Sequence, residues 1–431
     1  MMSMLLTGSG KPPMFGDYEA QRHWQEITIN LPATAWYVNG TDNDLHYWGL
    51  DYPPLTAYHS LLCALVAQLV DPSWISLYNS RGLEGEMHKL FMRLSGMSCY
   101  PWPSALSHFT RRLALKEGGG VGNPRKKISD ILKCSFDFVL GLAAWAVLAV
   151  KSKNNLLGAI FFSLSLNYKQ MELYHALPFF CILFGRCLQL GKCKGFLLFM
   201  MLALTVTLTF VLCWLPFLHT SQDALAVLYR LFPFDRGLYE DKVANVWCTL
   251  SVLVKIRTII PLHMQLWLSC TLLSCLPSCV TLIHRPTFRD FKLSLAICSL
   301  AFFLFSFQVH EKSILLVALP FCLLLVEIPF ASMWFLLVST FSRNKLQTPR
   351  KNLEFSYLIE ISPPSPTVPQ FWLSVALMFV LSASSILISP STSLPHLWPL
   401  VVSAASCCHF LAFLLFLNIQ QCWVYPRQKL D

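Results

Sequence analysis

The chain has 431 residues, 55% of them hydrophobic and 13% charged, with a mean hydropathy of +0.52. Soluble domains carry roughly 25% charged residues. This composition leaves too little polar surface to coat a globule of such length, and it excludes a soluble enzyme, a disordered chain or a nucleic-acid binder. The formal charge of +10 needs no acidic partner, because polytopic membrane proteins gather Lys and Arg in their cytoplasmic loops. The sixteen Cys fall mostly inside apolar stretches, as Cys63, Cys181, Cys213, Cys298 and Cys322 do, where a thiol packs as a small hydrophobe. The sequence holds no Cys-x-x-Cys pair and no Cys/His group with zinc spacing.

Residues 1–6 form too short an apolar run for a signal peptide or anchor, so 1–93 is expected as a luminal segment with interfacial helices. Its motif Gly16-Asp17-Tyr18-Glu19-Ala20-Gln21-Arg22-His23-Trp24 reads as a helix from Asp17 onward. Asp17, Gln21 and Trp24 then share one face, and Glu19, Arg22, His23 and Glu26 another. A carboxylate at a helix start beside aromatics suits a general base facing a sugar; an ordinary N-cap at Asp17 suits the same spacing. In Tyr47-Trp48-Gly49-Leu50-Asp51-Tyr52-Pro53-Pro54 the prolines fix the backbone and place Asp51 at the start of an apolar helix to Val70, as a cap or as a substrate ligand. Asn39-Gly40-Thr41 is a glycosylation sequon. Segment 94–135, with Arg111-Arg112, glycines at 118–120 and Pro124-Arg125-Lys126-Lys127, reads as an atypical basic loop, and 342–370 as an atypical linker.

The core 136–341 and the tail 371–431 hold apolar runs approaching the roughly 20 residues of a membrane helix. They lie at 136–150, 156–168, 173–188, 195–218, 267–283, 293–309, 314–326, 329–341, 371–388 and 397–416, and Pro320 and Pro329 imply kinks or breaks. The expected fold is an all-α polytopic transmembrane helical bundle. Basic connectors at 151–153, 186–194 and 284–292 belong in the cytoplasm. The turn 167–175, the loop 219–264 and the turn 308–313 then face the other side, where chemistry is expected. There His310, Glu311 and Lys312 abut a tight apolar hairpin. Ionisable groups at a membrane boundary are costly enough to point to function, and a His with a Lys suits a phosphate oxyanion. Charges that merely snorkel to water also make such a hairpin. Lys169 and Glu172 invite the same argument. The stretch from Arg230 to Trp247, with two Arg among three acids and aromatics, suits a cap over a polar headgroup or glycan. No internal repeat is evident, which disfavours a transporter built around intramembrane Glu327.

Five segments in this order resemble one family: 16–24, 48–60, 167–174, the Leu231-Phe-Pro-Phe-Asp-Arg-Gly-Leu-Tyr-Glu-Asp-Lys-Val-Ala-Asn245 stretch, and Val309-His310-Glu311-Lys312-Ser313. It is the dolichyl-phosphate-glucose-dependent α-1,3-glucosyltransferases of the endoplasmic reticulum, and the likeness is greatest to the branch whose acceptor is Man9GlcNAc2-PP-dolichol. The resemblance implies a GT-C glycosyltransferase in the endoplasmic reticulum membrane, with dolichyl phosphate glucose as donor, inversion from a β donor to an α product, and no metal or other cofactor. By motif match it implies Asp17 as general base and His310 as phosphate contact with Lys312 beside it. Asp51, Glu19, Arg22 and Lys169 are matched as substrate-binding candidates without an assigned role. Segment 94–137 stands where the family has its third helix. A second reading therefore keeps the motifs in a membrane protein without transferase activity.

Overall fold

The computed structural model describes residues 11–98, 138–232, 243–253, 263–306, 309–343, 369–388 and 397–424. In chain order the helices are α1 (Asp17–Asn30), α2 (Pro54–Val70), α3 (Glu86–Ser98), α4 (Phe138–Lys151), α5 (Asn155–Tyr168), α6 (Leu173–Gln189), α7 (Lys192–Trp214) and α8 (Ser221–Leu231). They continue with α9 (Val246–Leu253), α10 (His263–His284), α11 (Phe288–Phe305), α12 (Ile314–Leu323), α13 (Pro329–Arg343), α14 (Pro369–Leu387) and α15 (Leu397–Ile419). There is no strand among the described residues. Four helical stretches are long and apolar enough to cross a membrane: Gln170–Gln189, Lys192–Phe217, Leu266–His284 and Leu397–Cys422. Shorter apolar helices accompany them, and α4 and α5, with 14 residues each, fall short of a full bilayer core.

The described residues divide into two compact units, the first made of 11–98, 138–172 and 200–232. In it, α1 starts where it does because Gly16 turns at φ 86°, a left-handed conformation that a side chain resists. Gly16 is therefore the N-cap and Asp17 the first helical residue, not the cap that its spacing also suits. α2 starts at Pro54 behind Pro53, two prolines whose fixed φ is preset for a helix start, so Asp51 precedes the helix without capping it. Asn154 caps α5 by accepting from the Leu157 N–H at 3.2 Å, and Thr220 caps α8 from the Asp223 N–H at 3.1 Å. The core of this unit gathers Trp24 and Ile27 from α1, Trp36, Tyr37 and Leu50 from the connection, Ala57 from α2, and Phe217, Val227 and Leu231 around α8.

The second unit, made of 173–199 and the described residues from 243 onward, is built around α11, which is buried on almost every side. Helices α6, α10, α12 and α15 pack against it. Thr287 caps α11 from the Asp290 N–H at 3.1 Å and donates to Asp290 Oδ2 at 2.7 Å. Ser278 donates to Gln421 Oε1 at 2.7 Å, and Gln421 Nε2 donates to Ser294 at 2.9 Å, a polar tie between helices of the kind that apolar surroundings make worthwhile. The buried Lys292 forms an ion pair with the half-buried Glu327, so that acid has a cation for a partner. Pro320 lies inside α12, which ends three residues later, and Pro329 opens α13, as the proline positions imply.

Two expectations need correction. The stretch 219–264 is not a plain loop, since α8 and α9 occupy much of it, and residues 94–98 are the last turn of α3. Residues 99–137, 233–242 and 344–368 lie outside the described ones.

At Gly185, α6 comes so close to α10 that a Cβ would stand 2.7 Å from the Ile283 carbonyl oxygen and 3.1 Å from its Cα. Gly185→Ala is expected to cost the roughly 1–3 kcal/mol of an overpacked contact, read as a lower thermal midpoint of the detergent-solubilised chain.

Candidate active site

The helix that carries Asp17 is polar yet withdrawn from water. From Tyr18 to Thr28 only Gln21 is exposed. Arg22, fully buried, donates through Nε to Glu19 Oε2 at 2.8 Å and through Nη2 to Glu26 Oε2 at 2.7 Å. Its third donor, Nη1, reaches the Ser80 hydroxyl. Two acids around one guanidinium leave an excess of negative charge, which further donors offset. Tyr47 O–H donates to Glu19 Oε1 at 2.8 Å, and the Tyr78 N–H donates to Glu26 Oε1 at 2.9 Å. Burial opposes the charge on Glu26, but the His23 ring at 3.2 Å and the Arg22 guanidinium outweigh it and hold the carboxyl at about 2. Glu19 and Arg22, matched as substrate candidates, thus bond to other groups of the protein and lie in its interior.

The back of α1 is fastened to residues 74–91. Tyr18 O–H is bonded to His88 Nδ1, the Trp74 and Phe91 rings lie 5.0 and 6.0 Å from the His88 ring, and Asn30 Nδ2 donates to the Ile75 carbonyl at 2.8 Å. Burial, with the Arg22 charge assisting, pushes the His88 imidazole down from 6.5 to about 4.

At the front of α1, residues 48–52 form a strap without regular structure. It opens on Trp48 at φ 50°, a left-handed conformation that costs an L side chain about 1 kcal/mol or more. Trp24 Nε1 donates to the Trp48 carbonyl at 2.9 Å. Arg230, from α8, donates through Nη2 to the Gly49 carbonyl at 2.9 Å and through Nε to the Leu50 carbonyl at 3.2 Å. Gln170 Nε2 donates to the Asp51 carbonyl at 3.1 Å, and Tyr37 O–H to the Tyr52 carbonyl at 2.7 Å. The strap's own side chains reach back: Trp48 Nε1 donates to the Met14 carbonyl at 2.5 Å, just ahead of the Gly16 cap. Tyr52 meets the edge of Trp24 at 5.1 Å and lies under the Lys169 ammonium at 5.4 Å. Asp17, Asp51 and Lys169 are all half-buried. The first unit therefore holds Asp17, Asp51, Lys169, Glu19 and Arg22 on one connected framework. Arg230, Gln170 and Tyr37 belong to that framework as well, and sequence reasoning passed over their roles, because their partners are main-chain carbonyls that no side-chain pattern records.

The remaining two candidates lie in the second unit, ahead of α12. His310 is exposed and Lys312 half-buried in the short turn Glu311–Ser313. The Lys312 N–H donates to His310 Nδ1 at 3.0 Å. In the neutral ring this places the hydrogen on Nε2, the donor arrangement that suits an oxyanion. Among the described residues no group of His, Cys, Asp and Glu has the geometry of a metal site.

The described residues are helical without strands and include four helices long and apolar enough to cross a membrane, which define a multi-pass membrane protein, and the family match makes it a glycosyltransferase. The ALG6, ALG8 glycosyltransferase family model matches residues 1–100 and 137–416, and the chain belongs to that family. It is 46% identical over 488 residues to a Rattus norvegicus protein named dolichyl pyrophosphate Man9GlcNAc2 alpha-1,3-glucosyltransferase, covering 99% of this chain and 95% of the rat protein. Mus musculus and Gallus gallus proteins of the same name are each 46% identical, over 97% of this chain and 92% of theirs. The interval 101–136 falls outside the family match.

Between pH 6.5 and 4 the unfolded chain takes a proton at His88 that the folded chain refuses, so stability falls as pH falls through that window. Below 4.5 the same holds for Glu26, whose carboxylate keeps its charge only while folded. The detergent-solubilised chain is expected to lose about 2 kcal/mol on going from pH 7.5 to 5, with most of that difference removed in His88→Gln, as read from thermal midpoints.

Proposed function

We propose that this chain transfers glucose from dolichyl phosphate glucose to the Man9GlcNAc2-PP-dolichol oligosaccharide in an α-1,3 linkage, at the luminal face of the endoplasmic reticulum membrane. The observation that carries the reading is the 46% identity over 99% of the chain with the rat protein of that name, within a family match that includes every candidate residue. The basic connectors at 151–153, 186–194 and 284–292 and the sequon at Asn39 support the luminal side for the candidate motifs. The inactive alternative is not favoured, because the identity extends over nearly the whole chain.

The chemistry assigns each residue a task. The Asp17 carboxylate takes the proton of the acceptor 3-hydroxyl as its oxygen attacks the glucose C1. The C1–phosphate bond breaks on the opposite face, inverting the configuration. Dolichyl phosphate leaves as an anion that needs no acid, with His310 Nε2–H and the Lys312 ammonium stabilising its charge. Asp51 and Lys169 bind from the strap and the turn, while Glu19 and Arg22 act from inside the protein by holding α1.

In cells lacking first-glucose transfer, expression of this chain is expected to restore the monoglucosylated lipid-linked oligosaccharide, measured by chromatography of released glycans. Asp17→Asn is expected to lower transfer by about 10²–10⁴-fold at unchanged protein level. Full activity in that variant removes Asp17 as the base, and failure of the wild-type chain to rescue removes the function.

A further inference from the structure

We propose that Arg230 is a positioning residue for the transfer reaction: its guanidinium fixes the strap 48–52, and through it the setting of Asp51, Tyr52 and the start of α1. The inference rests on the reaction proposed above. Irregular backbone has no ladder to satisfy its carbonyls. Here five in a row, from Trp48 to Tyr52, each accept from a side chain, and those side chains come from four separate places: Trp24, Arg230, Gln170 and Tyr37. Arg230 alone serves two of them, Gly49 and Leu50, which the planar fork of a guanidinium does and a point-like ammonium does not.

The neighbourhood is shaped for this contact. A Cβ at Gly49 would stand 2.6 Å from the Leu45 Cα and 2.9 Å from Arg230 Nη2, so the Leu45 backbone holds the position to glycine and the guanidinium packs against bare main chain. Val227 and Leu231 bury the inner face of α8 in the core and fix the helix from which Arg230 reaches. The strap holds Trp48 in a left-handed conformation, a strain that persists only where surrounding bonds over-determine it. What it carries outward bears on the reaction. Trp48 ties down the Met14 carbonyl ahead of Asp17, Tyr52 supports Lys169, and Asp51 projects from the strap itself. A shift of the strap therefore moves three candidate residues together.

The test uses the full chain reconstituted with both lipid-linked substrates. Arg230→Lys keeps the charge and most of the stem but not the paired donors, and its kcat is expected to fall roughly 10²-fold, the loss that follows a displacement of about 1 Å. Gly185→Ala, at the contact of α6 with α10, is the control; it is expected to lower the thermal midpoint at least as far while keeping kcat within about twofold. If Arg230→Lys does not accumulate, Gln170→Met, which removes the donor shared by the Asp51 and Leu231 carbonyls, is read in its place, with an expected loss of about 10-fold in kcat. Wild-type kcat in the variant read overturns the proposal, as does an equal loss in Gly185→Ala, which would make the role one of stability alone. A wild-type chain without transfer removes the proposed reaction and this inference with it, an outcome distinct from an active wild type beside an active Arg230→Lys.

Discussion

The first unit depends on one guanidinium with no access to water. Arg22 sits in the middle of α1, one turn from Glu19 on one side and one turn from Glu26 on the other, and bridges both. Desolvating three charges is expensive, and their attraction repays it only when the remaining lone pairs and donors are also used. The fold meets that condition with groups brought from far along the chain: the Tyr47 hydroxyl, the Tyr78 amide and the Ser80 hydroxyl. The polar character of α1 is thus the reason that residues 47–80 must lie against it, and a helix of this composition has no stable place on the surface of an apolar core. The position of Asp17, at the first residue of that helix, follows from the anchoring behind it.

Much of this arrangement was legible in the amino-acid order. The helix from Asp17, the helix to Val70 behind the proline pair, and the breaks at Pro320 and Pro329 follow from local backbone chemistry, and the structure has them. The cap of α1 was harder, because Asp17 has the right chemistry for an N-cap and the decision fell to the conformational freedom of the glycine before it. Helices α8 and α9 hid in a stretch whose charges and aromatics read as loop; α8 carries a Thr220 cap and an apolar face, but it is short and half its surface is exposed. Arg230 stood among obvious candidates without declaring its task. A side chain that binds carbonyls 180 and 181 residues away leaves no periodicity to read. Glu19 and Arg22 show the reverse case: residues matched by motif, whose partners in the structure are other parts of the protein.

In the second unit the same problem has another solution. Helix α11 is surrounded by protein and carries three charged side chains near its start, Arg289, Asp290 and Lys292, of which the last two are buried. Lys292 is neutralised by Glu327 from the turn between α12 and α13, while Ser278, Ser294 and Gln421 share hydrogen bonds among themselves. Where helices touch most closely the contact is made by absence of a side chain, as at Gly185 against the backbone of α10. Shape and polar pairing, not apolar burial, distinguish one helix contact from another in such surroundings.

Position 49 is where the strap tolerates least. The space into which the guanidinium fits exists because position 49 carries no carbon beyond its main chain. An added methyl there meets the Leu45 backbone at 2.6 and 2.8 Å, and main chain cannot step aside as the end of an arginine can. A side chain at 49 is therefore resisted whatever residue stands at 230, while loss of the arginine leaves the glycine undisturbed, so the dependence across those 181 residues of sequence runs one way.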